Sequence, residues 1–335
     1  MIERLVFGPV TSSRLGRSLG LDLLGRKICS FDCLYCEVGP TRVLTRERRP
    51  YVTAKELLAE LGAWKEANRD LGLDHVTLGG SGEPTLNSEL PEILQGAKRL
   101  FPSIPVAVLT NASLLDDPRV RDELGKADVV LPSLDSLVES EFKVVNRPRQ
   151  GIELQRIVEG LKEFRSAYAG RIYLEVLLVA GINDTDANLQ ALEAFCQGFG
   201  ADRVDVTTLS RPGAYPSALP VDKNILNRFR EILGPGAKSM APVAISDGIG
   251  HNYQARVGTN TEGKTLVGVE REETTQRVLA SLLRRPQTEL QLAEALGLDA
   301  EATAAALTAL LAAGEVRRDE RDFYLATGGA RRKAG

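Results

Sequence analysis

The 335-residue chain has no apolar run approaching the ~20 residues that span a bilayer, so no membrane-spanning helix is expected. It also has little excess charge. The formal net charge is −3, so nothing global announces a nucleic-acid or anionic-membrane partner. Met1-Ile2-Glu3-Arg4 leads into a polar Gly/Pro/Ser stretch without the apolar core of a signal peptide, which sets the expectation of a cytoplasmic protein. Cysteine is scarce: there are four, three of them packed into Cys29–Cys36 and the fourth far downstream at Cys196. A disulfide framework would spread paired cysteines along a short exported chain. A tight cluster in a chain of this kind reads as a metal site instead.

What is present is a regular alternation. Short β-leaning runs (Ser18–Leu23, His75–Leu78, Val106–Leu109, Val129–Leu131, Ile172–Val179 and Arg203–Thr207) alternate with amphipathic helical patterns. The helices are expected at Ala54–Asn68, Glu89–Leu100, Asp117–Gly125, Glu153–Tyr168, Asp186–Phe199 and Asp222–Leu233, with Thr53 as the N-cap of the first. Such βα repeats imply an α/β fold, a parallel sheet with helices outside it, either partly closed into a barrel or open. In both forms, function sits at the C-terminal ends of the strands. After about Arg271 the character changes. Helices are expected at Glu272–Arg284, Thr288–Leu296 and Ala300–Ala313, then a short β wing over Glu315–Leu325, an order that resembles a winged helix-turn-helix. The domain expectation is therefore a barrel over 1–240, a glycine-rich linker or barrel completion over 241–271, a winged helix over 272–327 and a disordered basic tail over 328–335.

Cys29, Cys33 and Cys36 directly follow the first strand, spaced C-x₃-C-x₂-C with Tyr35 before the last cysteine. Three thiolates can each hold one iron of a cubane cluster, and since most such clusters take four cysteines, three leave one iron open. The competing reading is a Cys₃His zinc site. His75 and His251 are the only histidines; His75 is expected at the wrong end of the sheet, and His251 is not placed by pattern. Cys196 as a fourth iron ligand would close the site, but it falls on a helix expected outside the sheet, where a buried, inert thiol fits better.

The cysteine spacing resembles the signature of the radical S-adenosylmethionine (SAM) superfamily. That resemblance implies a partial (β/α)6 barrel in which the open iron is chelated by SAM, and an electron splits the sulfonium bond to release a 5′-deoxyadenosyl radical. It also implies a low-potential electron donor of flavodoxin or ferredoxin type. Further motifs fall at strand ends. Gly79, Gly80, Gly82 and Glu83 resemble the Gly-Gly-Glu-type segment that holds the SAM amine; glycines permit close backbone approach, and a carboxylate suits an ammonium. Asn111, Ser133 and Asp135 stand where polar residues contact the ribose or carboxylate of SAM, and Tyr35 where an aromatic packs near adenine. As isolated residues Asn111, Ser133 and Asp135, like Asn183 and Asp184, are equally readable as helix caps or Asx-turns, and Arg211 is readable as a clamp for a carboxylate of SAM or of a substrate.

A wider set appears together: Phe7 to Gly20, Ser81 to Leu86, Leu131 to Asp135, Asn146-Arg147-Pro148 and Gly181 to Asp184. It is similar to a group of radical SAM proteins related to the wyosine tRNA base synthases, many with a C-terminal winged helix. One departure matters. Those synthases carry extra N-terminal cysteines for a second cluster, whereas no cysteine precedes Cys29, so their pyruvate condensation is not expected here. Substrate remains open between RNA, a peptide and a small metabolite. Arg14, Arg17, Arg42, Arg46, Arg48 and Arg49 flank the cysteine loop and are readable as a phosphate-accepting mouth or as a solvated surface. The expected second helix of the turn motif, Ala300–Ala313, has no Lys or Arg. This argues against DNA and for a docking module or lid, despite Arg317, Arg318 and Arg321 in the wing. An iron–sulfur redox-sensing regulator and a zinc-stabilised binding module are the alternatives from other classes.

Overall fold

The computed structural model describes residues 4–69, 71–234, 266–283 and 285–327. Along the chain the elements are β1 (Val6–Ser12), β2 (Gly16–Asp22), β3 (Ile28–Cys29), β4 (Val43–Leu44), α1 (Ala54–Ala67), β5 (His75–Gly79), α2 (Leu90–Leu100), β6 (Val106–Thr110), α3 (Pro118–Leu124), β7 (Val129–Pro132), α4 (Glu139–Val145), α5 (Leu154–Ala167), β8 (Arg171–Leu178), α6 (Asp186–Phe199), β9 (Arg203–Thr208) and α7 (Lys223–Leu233). After residues 235–265 come α8 (Leu266–Leu282), α9 (Glu289–Leu296), α10 (Ala300–Ala312), β10 (Val316–Arg318) and β11 (Tyr324–Ala326).

Seven strands form one curled sheet in the order β1-β2-β5-β6-β7-β8-β9. Every pair is parallel except β1 with β2. Parallel neighbours need a crossover, and the helices supply it. The result is the expected partial barrel, an α/β half-barrel whose two edges, β1 and β9, are not paired with each other.

Side-chain alternation makes the two faces different. On β8, Ile172, Leu174, Val176 and Leu178 are buried under the helices, while Tyr173, Glu175 and Leu177 are half-buried on the inner face. The main core lies between sheet and helices. The inner face carries a small apolar floor of Leu15, Ala107, Val129 and Leu131. Local signals set the helix ends: Thr53 and Glu56 form a reciprocal capping box on α1, and Gly200, with φ 71°, ends α6 in the left-handed conformation.

Several elements differ from expectation, among them the two-residue strands β3 and β4, which no pattern announced. β1 arises where composition suggested only a polar stretch; an edge strand needs partners on one side only, and Phe7 stacks over Gly20 of β2. α4 is a short extra helix between β7 and α5. α8 starts at Leu266, six residues ahead of the expected Glu272, and runs to Leu282.

The C-terminal unit has its own core, in which Val278, Leu279, Leu282, Leu292, Leu307, Leu310, Val316 and Tyr324 are buried together. Its two strands pair antiparallel, and Gln287 bridges to Tyr324 beside them. α9 packs against β1, so this unit lies along one open edge of the half-barrel. Most of the expected linker, and the expected tail over 328–335, lie outside the described residues. No helix among the described residues is long and apolar enough to cross a membrane.

Candidate functional site

The cysteine loop crosses the C-terminal ends of the parallel strands and is pinned at several places. β3 pairs with β4, and the Thr45 amide donates to the Cys29 carbonyl at 2.9 Å. The loop also docks on the segment that follows α4. The amide of Asp32 donates to the Asn146 carbonyl at 3.1 Å, that of Leu34 to Val145 at 2.9 Å, and that of Arg149 to Ser30 at 2.9 Å. This explains why Asn146-Arg147-Pro148 accompanies the cysteine motif: it is the backbone ledge on which the motif rests. Above, Tyr215 donates its amide to Leu34 and its hydroxyl to Asp32, and Arg147 lies over the Tyr215 ring at 4.4 Å.

Each cysteine has a polar neighbour at its sulfur. Asn111 Nδ2 is 3.5 Å from Cys29 Sγ, Asn146 Nδ2 is 3.6 Å from Cys33 Sγ, and Lys27 Nζ is 2.8 Å from Cys36 Sγ. Lys27 is the unexpected member. It is only 9% exposed, and no carboxylate lies within ion-pairing range of it among the described residues. Burial alone would push its ammonium down, yet the sulfurs of Cys36, Cys29 and Cys33 hold it above its ordinary value. The thiols move up as well. Burial, with the Glu83 charge adding to it, pushes Cys29 to about 11; burial, the two neighbouring thiols and Asp135 push Cys33 well up. The arrangement is a buried cation among sulfurs that resist ionisation until something positive joins them, which is what iron would supply. Among the described residues no three His, Cys, Asp or Glu side chains converge on a single metal-ion position.

The other expected residues surround this loop. Gly79 and Gly80 end β5, and Gly80 takes φ 100° beside Asp22. A Cβ on Gly82 would collide with the Ile28 carbonyl oxygen, so this position brings the β5 end against the strand that carries Cys29. Glu83 is buried, and burial raises its carboxyl. Its Oε1 accepts from the Thr85 amide and hydroxyl and from the Thr110 hydroxyl, while Oε2 accepts only from the Asn111 amide, at 2.6 Å. Oε2 is thus the one oxygen with room for a further donor. Ser133 is half-buried, and its hydroxyl makes no hydrogen bond among the described residues.

Asp135 is buried and already committed. It accepts from the Leu177 amide at 2.9 Å, and from the Tyr35 hydroxyl and Asn146 Nδ2 at 2.6 Å each. Tyr35, Asp135, Asn146 and Cys33 therefore form one connected chain from strand end to cysteine loop. Asn183 closes a turn by bonding the Val179 amide and the carbonyls of Asp135 and Leu177; it takes the Asx role. Arg211 pairs with Glu37 of the cysteine loop and with Gln291 of α9. His75 sits at the N-terminal end of β5, its Nδ1 donating to the Leu15 carbonyl at 2.7 Å, away from the thiols. Cys196 is on α6, outside the sheet, where burial pushes its thiol to about 11. His251 lies outside the described residues. Pattern reading missed Lys27, although a lysine set between the β2 strand and the first cysteine was a visible signal.

The comparisons with known proteins agree with this geometry. The model of the Radical SAM superfamily matches residues 26–195, about half of the chain and the segment that spans the cysteine loop to α6. The chain belongs to the radical SAM superfamily. Proteins of this superfamily use a [4Fe–4S] cluster and SAM. A UPF0026 protein of Helicobacter pylori is 35% identical over 212 residues, 63% of this chain and 68% of that protein. A protein of Brachyspira hyodysenteriae named GTPase Obg is 31% identical over 316 residues, 94% of this chain but only 43% of its own length. Among solved structures, a radical SAM methyltransferase from Sphaerobacter thermophilus shares the fold, with a TM-score of 0.52 at 20% identity over 64% of this chain and 62% of that one.

Proposed function

We propose that Cys29, Cys33 and Cys36 ligate three irons of a [4Fe–4S] cluster, and that the protein is an enzyme that cleaves SAM reductively to modify a substrate held in the half-barrel. The observation that carries this reading is the loop itself: three thiols, one buried ammonium and two side-chain amides gathered at the C-terminal mouth of a parallel half-barrel. A cluster held by these three thiolates would supply the electron for reductive cleavage of SAM.

The chain's own residues do the positioning. Lys27 offsets thiolate charge, and the amides of Asn111 and Asn146 donate toward sulfur, which tunes such centres. Oε2 of Glu83 and the carbonyls of Gly79 and Gly80 accept from the methionyl amine, with Gly82 allowing the close approach. The Ser133 hydroxyl is free to meet the ribose. Asp135 acts from behind, orienting Tyr35 against the adenine and holding Asn146 at Cys33. The apolar cap of Leu34, Val145, Val179 and Ala218, with Leu177 and Tyr215 against it, keeps water from the radical. The electron comes from a low-potential flavodoxin or ferredoxin.

We read α8–α10 with β10–β11 as a winged helix and the chain as a member of the wyosine-synthase-related group, acting in the cytoplasm. The barrel then ends near α7 and the winged unit begins with α8. α10 starts acidic and carries no Lys or Arg, so this unit serves as a lid or docking module; a DNA-binding regulator draws no support from it. The reading is tested by elemental analysis after anaerobic reconstitution. Iron and acid-labile sulfide in equal amounts, with an EPR signal in the reduced protein that changes on adding SAM, are expected. Stoichiometric zinc without sulfide would overturn it.

A further inference from the structure

The gap between the β1 and β9 edges leads to the inner face of the half-barrel, and arginines converge there from three parts of the chain. Arg14, in the turn between β1 and β2, reaches across to Glu175 on the inner face of β8 and forms an ion pair with it. Arg211, just after β9, makes long contacts with Glu37, 3.3 Å at best, and with Gln291 at 3.4 Å. Arg285 comes from the C-terminal unit, in the turn between α8 and α9.

That turn is rigid. Pro286 and Gln287 are buried, Gln287 exchanges backbone hydrogen bonds with Tyr324, and its side chain donates to Ser281 at 2.7 Å. Arg285 stands directly beside this anchored pair. It is half-buried, makes no hydrogen bond and has no carboxylate within ion-pairing distance among the described residues. Its electrostatic neighbours are Arg211, Glu37 and Arg14, and burial together with the two guanidiniums lowers its affinity for its proton. Glu175 is taken by Arg14 and Glu37 by Arg211, so the third guanidinium has no anion of its own. Desolvating a guanidinium beside two others is costly unless an anion joins them.

We propose that this seam is a binding site for an oxyanion of the substrate, a carboxylate or a phosphate, gripped by Arg285, Arg211 and Arg14. The planar guanidinium fork matches both groups in a two-point contact. The C-terminal unit then contributes to the substrate site directly, and the substrate's anionic end is anchored at the open edge while its reacting end points toward the cysteine loop. The assignment deepens the radical SAM reading and rests on it for the identity of the ligand as substrate, but the site itself is testable alone.

Isothermal titration of the full chain with sodium phosphate and with sodium acetate, cluster-free and then reconstituted, tests it. One saturable site is expected. Its affinity falls at least tenfold in Arg285→Gln and in Arg211→Gln, is partly kept in Arg285→Lys, and is unchanged in the Arg119→Gln control on exposed α3. Tighter phosphate than acetate assigns a phosphate ester, and the reverse order a carboxylic acid. No saturable binding, equal binding in Arg285→Gln and wild type, or displacement of the probe by SAM overturns the proposal. Failure in the cluster-free chain leaves SAM cleavage unaffected, whereas a protein that binds the anion but never cleaves SAM refutes the enzyme reading and not the site.

Discussion

Replacing Lys27 with methionine removes one buried positive charge and keeps nearly the same volume. Its ammonium is 2.8 Å from Cys36 Sγ, so the electron added when a cluster is reduced would lie roughly 5 Å from it on average, over a dielectric of about 20. Coulomb's law then gives about 3 kcal/mol of lost stabilisation for the reduced form. At about 1.4 kcal/mol and about 59 mV for each tenfold change in a one-electron couple, this is a fall in midpoint potential on the order of 100 mV. The assay is an anaerobic redox titration followed by the EPR signal of the reduced protein. Lys27→Arg keeps the charge and should stay within a few tens of millivolts of wild type. A Lys27→Met potential equal to wild type in a protein that still holds its cluster would refute the electrostatic role.

Three other outcomes follow from the same geometry. Gly82→Ala drives a methyl group into the Ile28 carbonyl, so thermal melting should show a loss of about 1–3 kcal/mol together with lower iron content. Asp135→Asn removes an acceptor either from both Tyr35 and Asn146, which share Oδ2, or from the Leu177 amide, which donates to Oδ1; a cost of about 1–3 kcal/mol and faster proteolysis of the cysteine loop are expected, and unchanged proteolysis would count against the chain of contacts. In the cluster-free protein, Cys29 ionises near 11 against an ordinary value of 9.0. A thiol held protonated in the fold contributes stability that is present below pH 9 and lost as pH rises toward 11. Denaturant melts should therefore weaken by about 3 kcal/mol over that window, and less in Cys29→Ala.

The parallel strands and their helices were legible because each is a local pattern: an apolar run, a 3.6-residue periodicity, a cap such as Thr53. The cysteine loop was legible because its ligands are close in sequence. β1 was not, since Gly8 and Pro9 read as loop and its strand character comes only from pairing with β2. Lys27 was overlooked because its partner is created by the fold of the loop. Arg14 with Glu175, and Arg285 with Arg211, bring together residues far apart in the chain, and no local pattern encodes which edge of the sheet a distant helix will meet. Asp135 shows a different limit. Its position at a strand end was readable, but whether it faces a ligand or ties two loops depends on Tyr35 and Asn146 arriving beside it.

The most direct test of the central claim is quantification of 5′-deoxyadenosine. The protein is reconstituted with iron and sulfide without oxygen, reduced with dithionite and given SAM, beside a Cys33→Ala control. The account predicts the nucleoside in the wild type and none above background in the variant. Intact SAM with a reduced cluster present, or equal product from both proteins, would contradict it.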